Sequence, residues 1–134
     1  MNEEKEEPIV VKFRIEMFQH DIIALFCDPS EAKDYISNSE VVKSIEASSK
    51  EYGAVTLSGY EPDATYIFFQ NVNNTPAELA HEAIHAAHGI FNRIGFTSTQ
   101  DNDEMLAYLV GYIVQNIQVH LRDAWVDKKK WKRI

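Results

Sequence analysis

Hydrophobic and polar positions predict two strands near the start of the chain. Residues 9–17 alternate between apolar and charged side chains. This period of two is typical of a half-buried strand, and its apolar face would consist of Val11, Phe13, Ile15 and Met17. Residues 22–26 are continuously apolar, which indicates a second and more central strand.

A helical region is predicted next. The run Asp28-Pro29-Ser30-Glu31 has the residues of a helix start, with a capping side chain followed by proline in the first turn. We expect a break near Asn38 and an end at Gly53. The apolar positions that would face the core are Tyr35, Ile36, Val42 and Ile45.

Two further strands complete the predicted sheet. Residues 54–57 and 64–70 are rich in β-branched and aromatic side chains. Turn-forming residues occupy positions 59–63 between them. The pair therefore predicts two neighbouring strands ahead of the helical C-terminal half.

The first of two C-terminal helices has clear end signals. Thr75, Pro76 and Glu78 form the pattern of a capping box with proline at the first helical position. Gly95 is a candidate C-terminal cap. Apolar residues recur with helical period at Leu79, Ile84, Ala87 and Phe91.

The second helix is predicted to run from about Asn102 into the basic end of the chain. Asp101 would be its N-cap, and Glu104 stands three positions later, as in a capping box. The positions expected to face the core are Leu106, Leu109, Ile113, Ile117 and Leu121.

These elements predict an α+β fold. Their order favours a single domain over residues 1–134, with a small mixed sheet of about four strands and the helices packed on one face. The acidic residues 1–7 and the basic residues 127–134 would be tails. A chain of 134 residues with 45% hydrophobic and 25% charged residues can bury an ordinary globular core.

Charge and composition narrow the possible partners and compartment. The net charge of −8 argues against general nucleic-acid binding, and the basic residues 128–133 are the only contrary hint. The longest apolar stretch, residues 105–114, is too short to cross a bilayer. Residues 1–7 lack the apolar core of a secretory signal. The lone Cys27 excludes an internal disulfide, which favours the cytoplasm, and we expect it to be buried at a strand end.

The residues with the clearest chemistry are His81-Glu82-Ala83-Ile84-His85, an HExxH segment on the first C-terminal helix. Side chains four positions apart lie on one helical face, so both imidazoles can reach one metal ion. Glu82 would then accept a proton from a metal-activated water. Chance alone would give about 0.02 such segments in a chain of this composition. The segment therefore predicts a zinc hydrolase.

A catalytic zinc usually has three protein ligands. Glu104, nineteen positions after His85, is the best candidate for the third, and Asp103 and Asp101 are alternatives. A carboxylate there also favours the helix dipole without any metal.

The other histidines are weaker candidates. His88 shares the face of His81 and His85, but three ligands along one straight helix give poor tetrahedral angles. We expect His88 at the rim of the site or against the following helix. His20 and His120 are expected to be surface or half-buried residues.

The spacing of these residues resembles the gluzincins, zinc metallopeptidases with HExxH followed by a Glu on a later helix. His81, His85 and Glu104 match the family's ligands, and Glu82 matches its general base. Four positions beyond the Glu ligand the family has an Asp that orients the first His, and this chain has Tyr108. The resemblance covers residues 78–115. Residues 103–110 are also similar to small metallopeptidase-like proteins of phages and mobile elements.

The resemblance implies a zincin-like scaffold and a zinc-dependent peptidase acting on a peptide or protein substrate. Tyr108 would stabilise the oxyanion, with Tyr112, Tyr66 and His88 as alternatives. A second hypothesis is a binding or regulatory module that keeps the scaffold and turns over no peptide. A third is a structural protein without metal. The oligomeric state is not fixed by the sequence.

The strand over residues 64–70 directly precedes the HExxH helix, so we expect it to border the site. An extended peptide could then add to it as an extra strand. Tyr66, Ile67 and Phe68 would contact the substrate, with Tyr66 and Phe68 on one face of the strand and Ile67 and Phe69 on the other.

Overall fold

The computed structural model describes residues 7–71, 76–97 and 99–132, with the side chains of the last helix described as far as residue 124. The predicted N-cap Thr75 lies outside these ranges. So do nearly all of the predicted acidic tail and the side chains of the basic tail.

In the described part of the chain, four strands form one mixed sheet, as the sequence predicted. They are β1 (Ile9–Ile15), β2 (His20–Phe26), β3 (Ala54–Glu61) and β4 (Ala64–Phe69). Their order in the sheet is β1-β2-β4-β3. Strands β2 and β4 are parallel, and both outer strands pair antiparallel to their neighbours. This arrangement leaves β1 and β3 at the edges.

The described residues also form three α-helices that pack on the sheet: α1 (Ser39–Ser48), α2 (Pro76–Arg93) and α3 (Asp103–Lys132). Short 3₁₀ turns span Glu16–Phe18, Pro29–Asp34 and Gln100–Asn102. The predicted break near Asn38 is confirmed, because the Asn38 side chain caps α1 by accepting from two backbone amides of its first turn.

Helices cover both faces of the sheet, so the prediction of helices on one face is wrong. One core contains Ile22, Phe26 and Ile67 of the sheet with α2 and α3. The other contains Leu25 and Phe68 with α1 and the preceding 3₁₀ turn. Both central strands are therefore buried on both sides, and the architecture has three layers.

Several helix and strand ends differ from their predictions. Met17 is 79% exposed, because the chain leaves β1 at Ile15 and enters a 3₁₀ turn. The capping box before α3 is formed by Thr99 and Asn102 instead of Asp101 and Glu104. At the end of α2 the predicted Gly95 cap is confirmed.

Gly95 has φ +80°, and the amides of Gly95 and Phe96 donate to the carbonyls of Asn92 and Phe91. These two bonds form a Schellman motif.

In the described ranges, no helix combines the length and apolar character needed to span a membrane.

Candidate functional site

Helix α2 brings His81 and His85 together on its outer face. Their Nε2 atoms are 3.1 Å apart, and the ring centroids are 4.7 Å apart at an interplanar angle of 74°. The His81 side chain is 67% exposed. The two ring nitrogens therefore converge at a point that solvent and ligands can reach, which the spacing of four residues predicted.

This separation fits two ligands of one metal ion. Two nitrogens at the usual Zn–N distance of about 2.0–2.1 Å and a tetrahedral angle lie about 3.3–3.4 Å apart. The 3.1 Å between the Nε2 atoms is close to that value. His81 and His85 are therefore placed so that they could provide two of the three protein ligands that a catalytic zinc usually has.

Glu82 points inward, toward the sheet. Only 7% of it is exposed. The Thr56 hydroxyl lies 2.8 Å from Oε1 of Glu82 and 3.1 Å from the Glu82 backbone oxygen. The other carboxylate oxygen, Oε2, is 3.9 Å from Nε2 of His81. Thr56 therefore holds one carboxylate oxygen and leaves the other on the side of the histidines.

Close packing of α2 against β3 creates the contact with Thr56. Thr56 is paired with Ile67, whose side chain lies in the core shared with α2. About two turns after Glu82 on α2, a Cβ at Gly89 would lie 2.4 Å from Oγ of Ser58. The absence of a side chain at Gly89 thus lets the helix approach the strand.

Glu104 and Tyr108 do not join the histidines. Both are exposed on the first turns of α3, and Tyr108 is 75% exposed. They line a groove formed by α3 alone, whose walls are Glu104, Ala107, Tyr108, Gly111, Tyr112 and Gln115. Within the described ranges, no group of three or more His, Cys, Asp and Glu side chains is arranged to hold a metal ion. The predicted three-ligand set is therefore not assembled.

None of the remaining candidates completes the ligand set in the part of the chain that the structure describes. His88 is half-buried on α2, and neither Asp101 nor Asp103 forms a metal-binding group with the histidines in the described part of the chain. Tyr112 makes an edge contact with Phe13, with ring centroids 6.2 Å apart.

The predicted substrate strand is a central strand. Strand β4 pairs with β2 on one side and β3 on the other, so it has no free edge for a peptide. Tyr66, Ile67 and Phe68 are all buried. The hydroxyl of Tyr66 donates to the Glu61 carboxylate, and burial with this bond raises the Tyr66 pKa. The prediction that a peptide docks on residues 64–70 is therefore wrong. The predicted alternation of side chains between the two faces of this strand is confirmed.

Among the described residues, His20 and Cys27 are also titratable groups that are buried. His20, expected to be a surface or half-buried residue, is only 3% exposed. Its Nε2 lies 2.8 Å from the Thr65 hydroxyl, and its Nδ1 has no hydrogen-bond partner among the described residues. Cys27 is buried at the end of β2 as predicted, and burial raises the pKa of its thiol to about 12. A thiol with so high a pKa is a poor nucleophile.

Thr56 is the residue of this site that sequence reasoning missed. It precedes Glu82 by 26 positions and belongs to a different element. No local pattern links the two residues, since their contact depends on how α2 packs on the sheet.

Comparison of the chain with protein-family models, with curated proteins and with solved structures finds no match. The resemblance to gluzincins, and with it the likeness to small phage metallopeptidases, is therefore wrong. The described residues do not assemble the ligand set His81, His85 and Glu104 on which it depended. The HExxH segment places two histidines on one face of a helix. A third ligand from α3 would also require that the start of α3 lie beside those histidines.

Proposed function

We propose that this protein hydrolyses peptide bonds at a zinc ion bound by Nε2 of His81 and Nε2 of His85, with Glu82 as the general base. The observation that carries the proposal is the 3.1 Å separation of the two nitrogens beside a carboxylate. The proposal rests on these residues and on no family relationship. Imidazole nitrogens suit zinc, and HExxH on a helix is the arrangement used for metal-assisted peptide hydrolysis.

In this proposal the two carboxylate oxygens of Glu82 have different roles. A bound zinc would polarise the scissile carbonyl and acidify a water molecule. Oε1 of Glu82 is occupied by the Thr56 hydroxyl. Oε2 is then the oxygen that accepts the proton of the attacking water and later delivers it to the leaving amine. Thr56 is a positioning residue, since it acts only through Glu82.

The outer edge of β3 is the surface that we propose for an extended peptide. Strand β3, which contains Thr56, is an edge strand of the sheet. Its unpaired backbone groups can bond to a peptide added as a further strand. Ile84, which is 44% exposed one position before His85, offers an apolar contact for a substrate side chain.

A metal-binding module without turnover is the second candidate. Two observations favour it: Glu82 is nearly buried, and the described residues contribute only two close imidazoles. Such a module would bind zinc and a peptide with the same groups and leave the peptide intact.

The decisive experiment compares the wild type with Glu82→Gln. Zinc content by elemental analysis, thermal unfolding and cleavage of a fluorogenic peptide library are measured for both proteins. Glu46→Gln, which changes an exposed carboxylate on α1, is the matched control. We expect equal zinc in all three proteins and a loss of cleavage on the order of 100-fold or more in Glu82→Gln alone.

The two candidates give different results. Zinc binding with no cleavage by the wild type would identify the binding module. Equal cleavage by the wild type and Glu82→Gln would show that Glu82 is not the base. Failure of the wild type to bind zinc at all would overturn both candidates.

A further inference from the structure

The His pair of α2 offers fewer ligands than a zinc ion takes. Nε2 of His81 and Nε2 of His85 are 3.1 Å apart and converge on one point. Zinc has four protein ligands at structural sites and usually three at catalytic sites. In the described ranges, no further His, Cys, Asp or Glu joins the two imidazoles to form a metal-binding group. A zinc ion on this pair therefore has coordination positions that another molecule can fill.

The surface of α2 around the pair is open and nearly uncharged. The His81 side chain is 67% exposed, and Ile84 is 44% exposed. Among the exposed positions from 77 to 92, Glu78 is the only Asp, Glu, Lys or Arg. A second protein molecule can therefore approach the two ring nitrogens without meeting a cluster of like charges.

We propose that one zinc ion joins two copies of this chain, with His81 and His85 of each copy as its four ligands. The ion would lie on a two-fold axis, so that each copy contributes the same two nitrogens. Two such pairs fill the four positions of a closed tetrahedral site. The separation of 3.1 Å within each pair is already close to the spacing of tetrahedral zinc ligands. This inference rests on the zinc site of the proposed function and does not depend on its hydrolysis step.

Ligand number and charge are the arguments for a second copy as the occupant. A second copy carries the same pair and supplies the two missing ligands without any other partner. Two chains with a net charge of −8 each repel one another, so their association needs a local attraction. Oε2 of Glu82 is 3.9 Å from Nε2 of His81, so each copy places one carboxylate beside the metal. The two positive charges of Zn²⁺ would then balance the two Glu82 carboxylates at the contact.

The bridge determines how the two α2 helices cross. His81 and His85 are about one turn apart, so the line between their Nε2 atoms runs roughly along the helix axis. Opposite edges of a tetrahedron are perpendicular, and the two helices should therefore cross at about 90°. Imidazole rings of both copies lie between the helices, which keeps the axes further apart than the roughly 8–10 Å of directly packed helices. Direct contact is then small, and the dimer should not survive removal of the metal.

A closed site has a consequence for the proposed peptidase. Four histidine ligands leave no coordination position for a water molecule or a scissile carbonyl. The zinc-bridged dimer would therefore be a resting form, and the monomer would be the form that hydrolyses peptide. Cleavage per chain should accordingly fall as the protein concentration rises, and dilution should restore it.

The first experiment titrates the full chain with zinc and measures its mass by light scattering after size-exclusion chromatography. We expect a monomer in chelator and a dimer that is most abundant at one zinc ion for every two chains. A large excess of zinc should dissociate the dimer again, because each His pair then binds an ion of its own. Elemental analysis of the dimer fraction should give half a zinc ion per chain.

The second experiment repeats the titration with His81→Ala and His85→Ala. Each variant removes one ligand per copy, so the zinc-dependent dimer should be lost in both. His120→Ala is the matched control, because His120 is an exposed histidine on α3 and should leave the dimer unchanged. Thermal unfolding in chelator checks that the metal-free variants remain folded.

The outcomes separate this inference from the proposed function. A monomer that binds one zinc ion per chain would overturn the dimer and leave the proposed zinc site standing. A dimer that persists in chelator, in excess zinc or in His85→Ala would also overturn the bridge. A bridged dimer from a chain that cleaves no peptide would support the inference and overturn the peptidase. Failure to bind zinc at all would overturn both.

Discussion

At the scale of single residues, the Thr56 hydroxyl decides which oxygen of Glu82 faces the histidines. It lies 2.8 Å from Oε1, while Oε2 is on the side of His81. The carboxylate is nearly buried, so it depends on this bond more than an exposed group would. Positioning of the proposed base is thus a property of β3 as much as of the HExxH segment.

Thr56→Val should slow peptide hydrolysis without removing zinc. The variant keeps the shape of the side chain and loses the donor, so the Glu82 carboxylate loses its fixed orientation. We expect cleavage to fall about tenfold or more and the free energy of unfolding to fall by about 1–3 kcal/mol. Thr56→Ser restores the hydroxyl and should restore cleavage. If Val and Ser cleave equally, Thr56 does not position Glu82.

His20 is a second residue with a buried polar group. Its Nδ1 has no hydrogen-bond partner in the described part of the chain. Burial lowers the His20 pKa from its usual 6.5, and nearby Arg93 lowers it further, against the opposing effects of Asp63 and Asp21 and a smaller lowering by Arg14. The folded protein therefore holds His20 neutral at pH values where the unfolded chain would already bind a proton.

The free energy of unfolding should consequently fall as the pH falls below 6.5. Below that value the unfolded state takes up the proton first, so the contribution of neutral His20 is complete above pH 6.5 and is lost toward the lower pKa of the folded state. Urea titrations at several pH values measure this dependence. His20→Gln should reduce it, and His120→Gln, at an exposed histidine, should not. An unchanged dependence in His20→Gln would contradict this prediction.

At the scale of the elements, boundaries could be predicted where a single local signal sets them. Asn38 and Gly95 act through their own side chain or backbone, and both ends were found where expected. The place of β4 in the sheet could not be predicted in the same way, because strand order depends on contacts distant in sequence. A signal was present in the sequence, however: residues 64–69 contain no charged residue and are apolar or aromatic except for Thr65, and such a strand favours the centre of a sheet. In the structure all six residues are buried.

The end of α2 offers a test of these local signals. Gly95 has φ +80°, a conformation that costs residues with a Cβ about 1 kcal/mol. Gly95→Ala should lower the free energy of unfolding by about this amount, as measured by urea titration. Gly53→Ala is the control, because Gly53 has no positive φ and nothing lies within 4 Å of a Cβ there. A similar loss in both variants would show that the left-handed cap is not the cause.

At the scale of the whole molecule, the sequence predicted the α+β class and the sheet of four strands, but not the layers. Amphipathic helices can pack on either face of a sheet, and only the complete chain shows that α1 covers one face while α2 and α3 cover the other. The same limitation applies to the candidate site. The His pair was predictable because one helix contains it, whereas Glu104 depended on the path of a second helix.

Zinc should stabilise the whole molecule through the His pair alone. A ligand that binds only the folded state, at a free concentration 100 times its Kd, adds about 2.7 kcal/mol to the free energy of unfolding. Thermal unfolding with zinc and with a chelator measures this difference. His81→Ala and His85→Ala should abolish it. Glu104→Gln should retain it, because Glu104 lines the α3 groove and forms no metal-binding group with the histidines in the described ranges. Loss of the zinc effect in Glu104→Gln would mean that α3 moves to complete the site when metal binds, and the first turn of α3 would then belong to the zinc site after all.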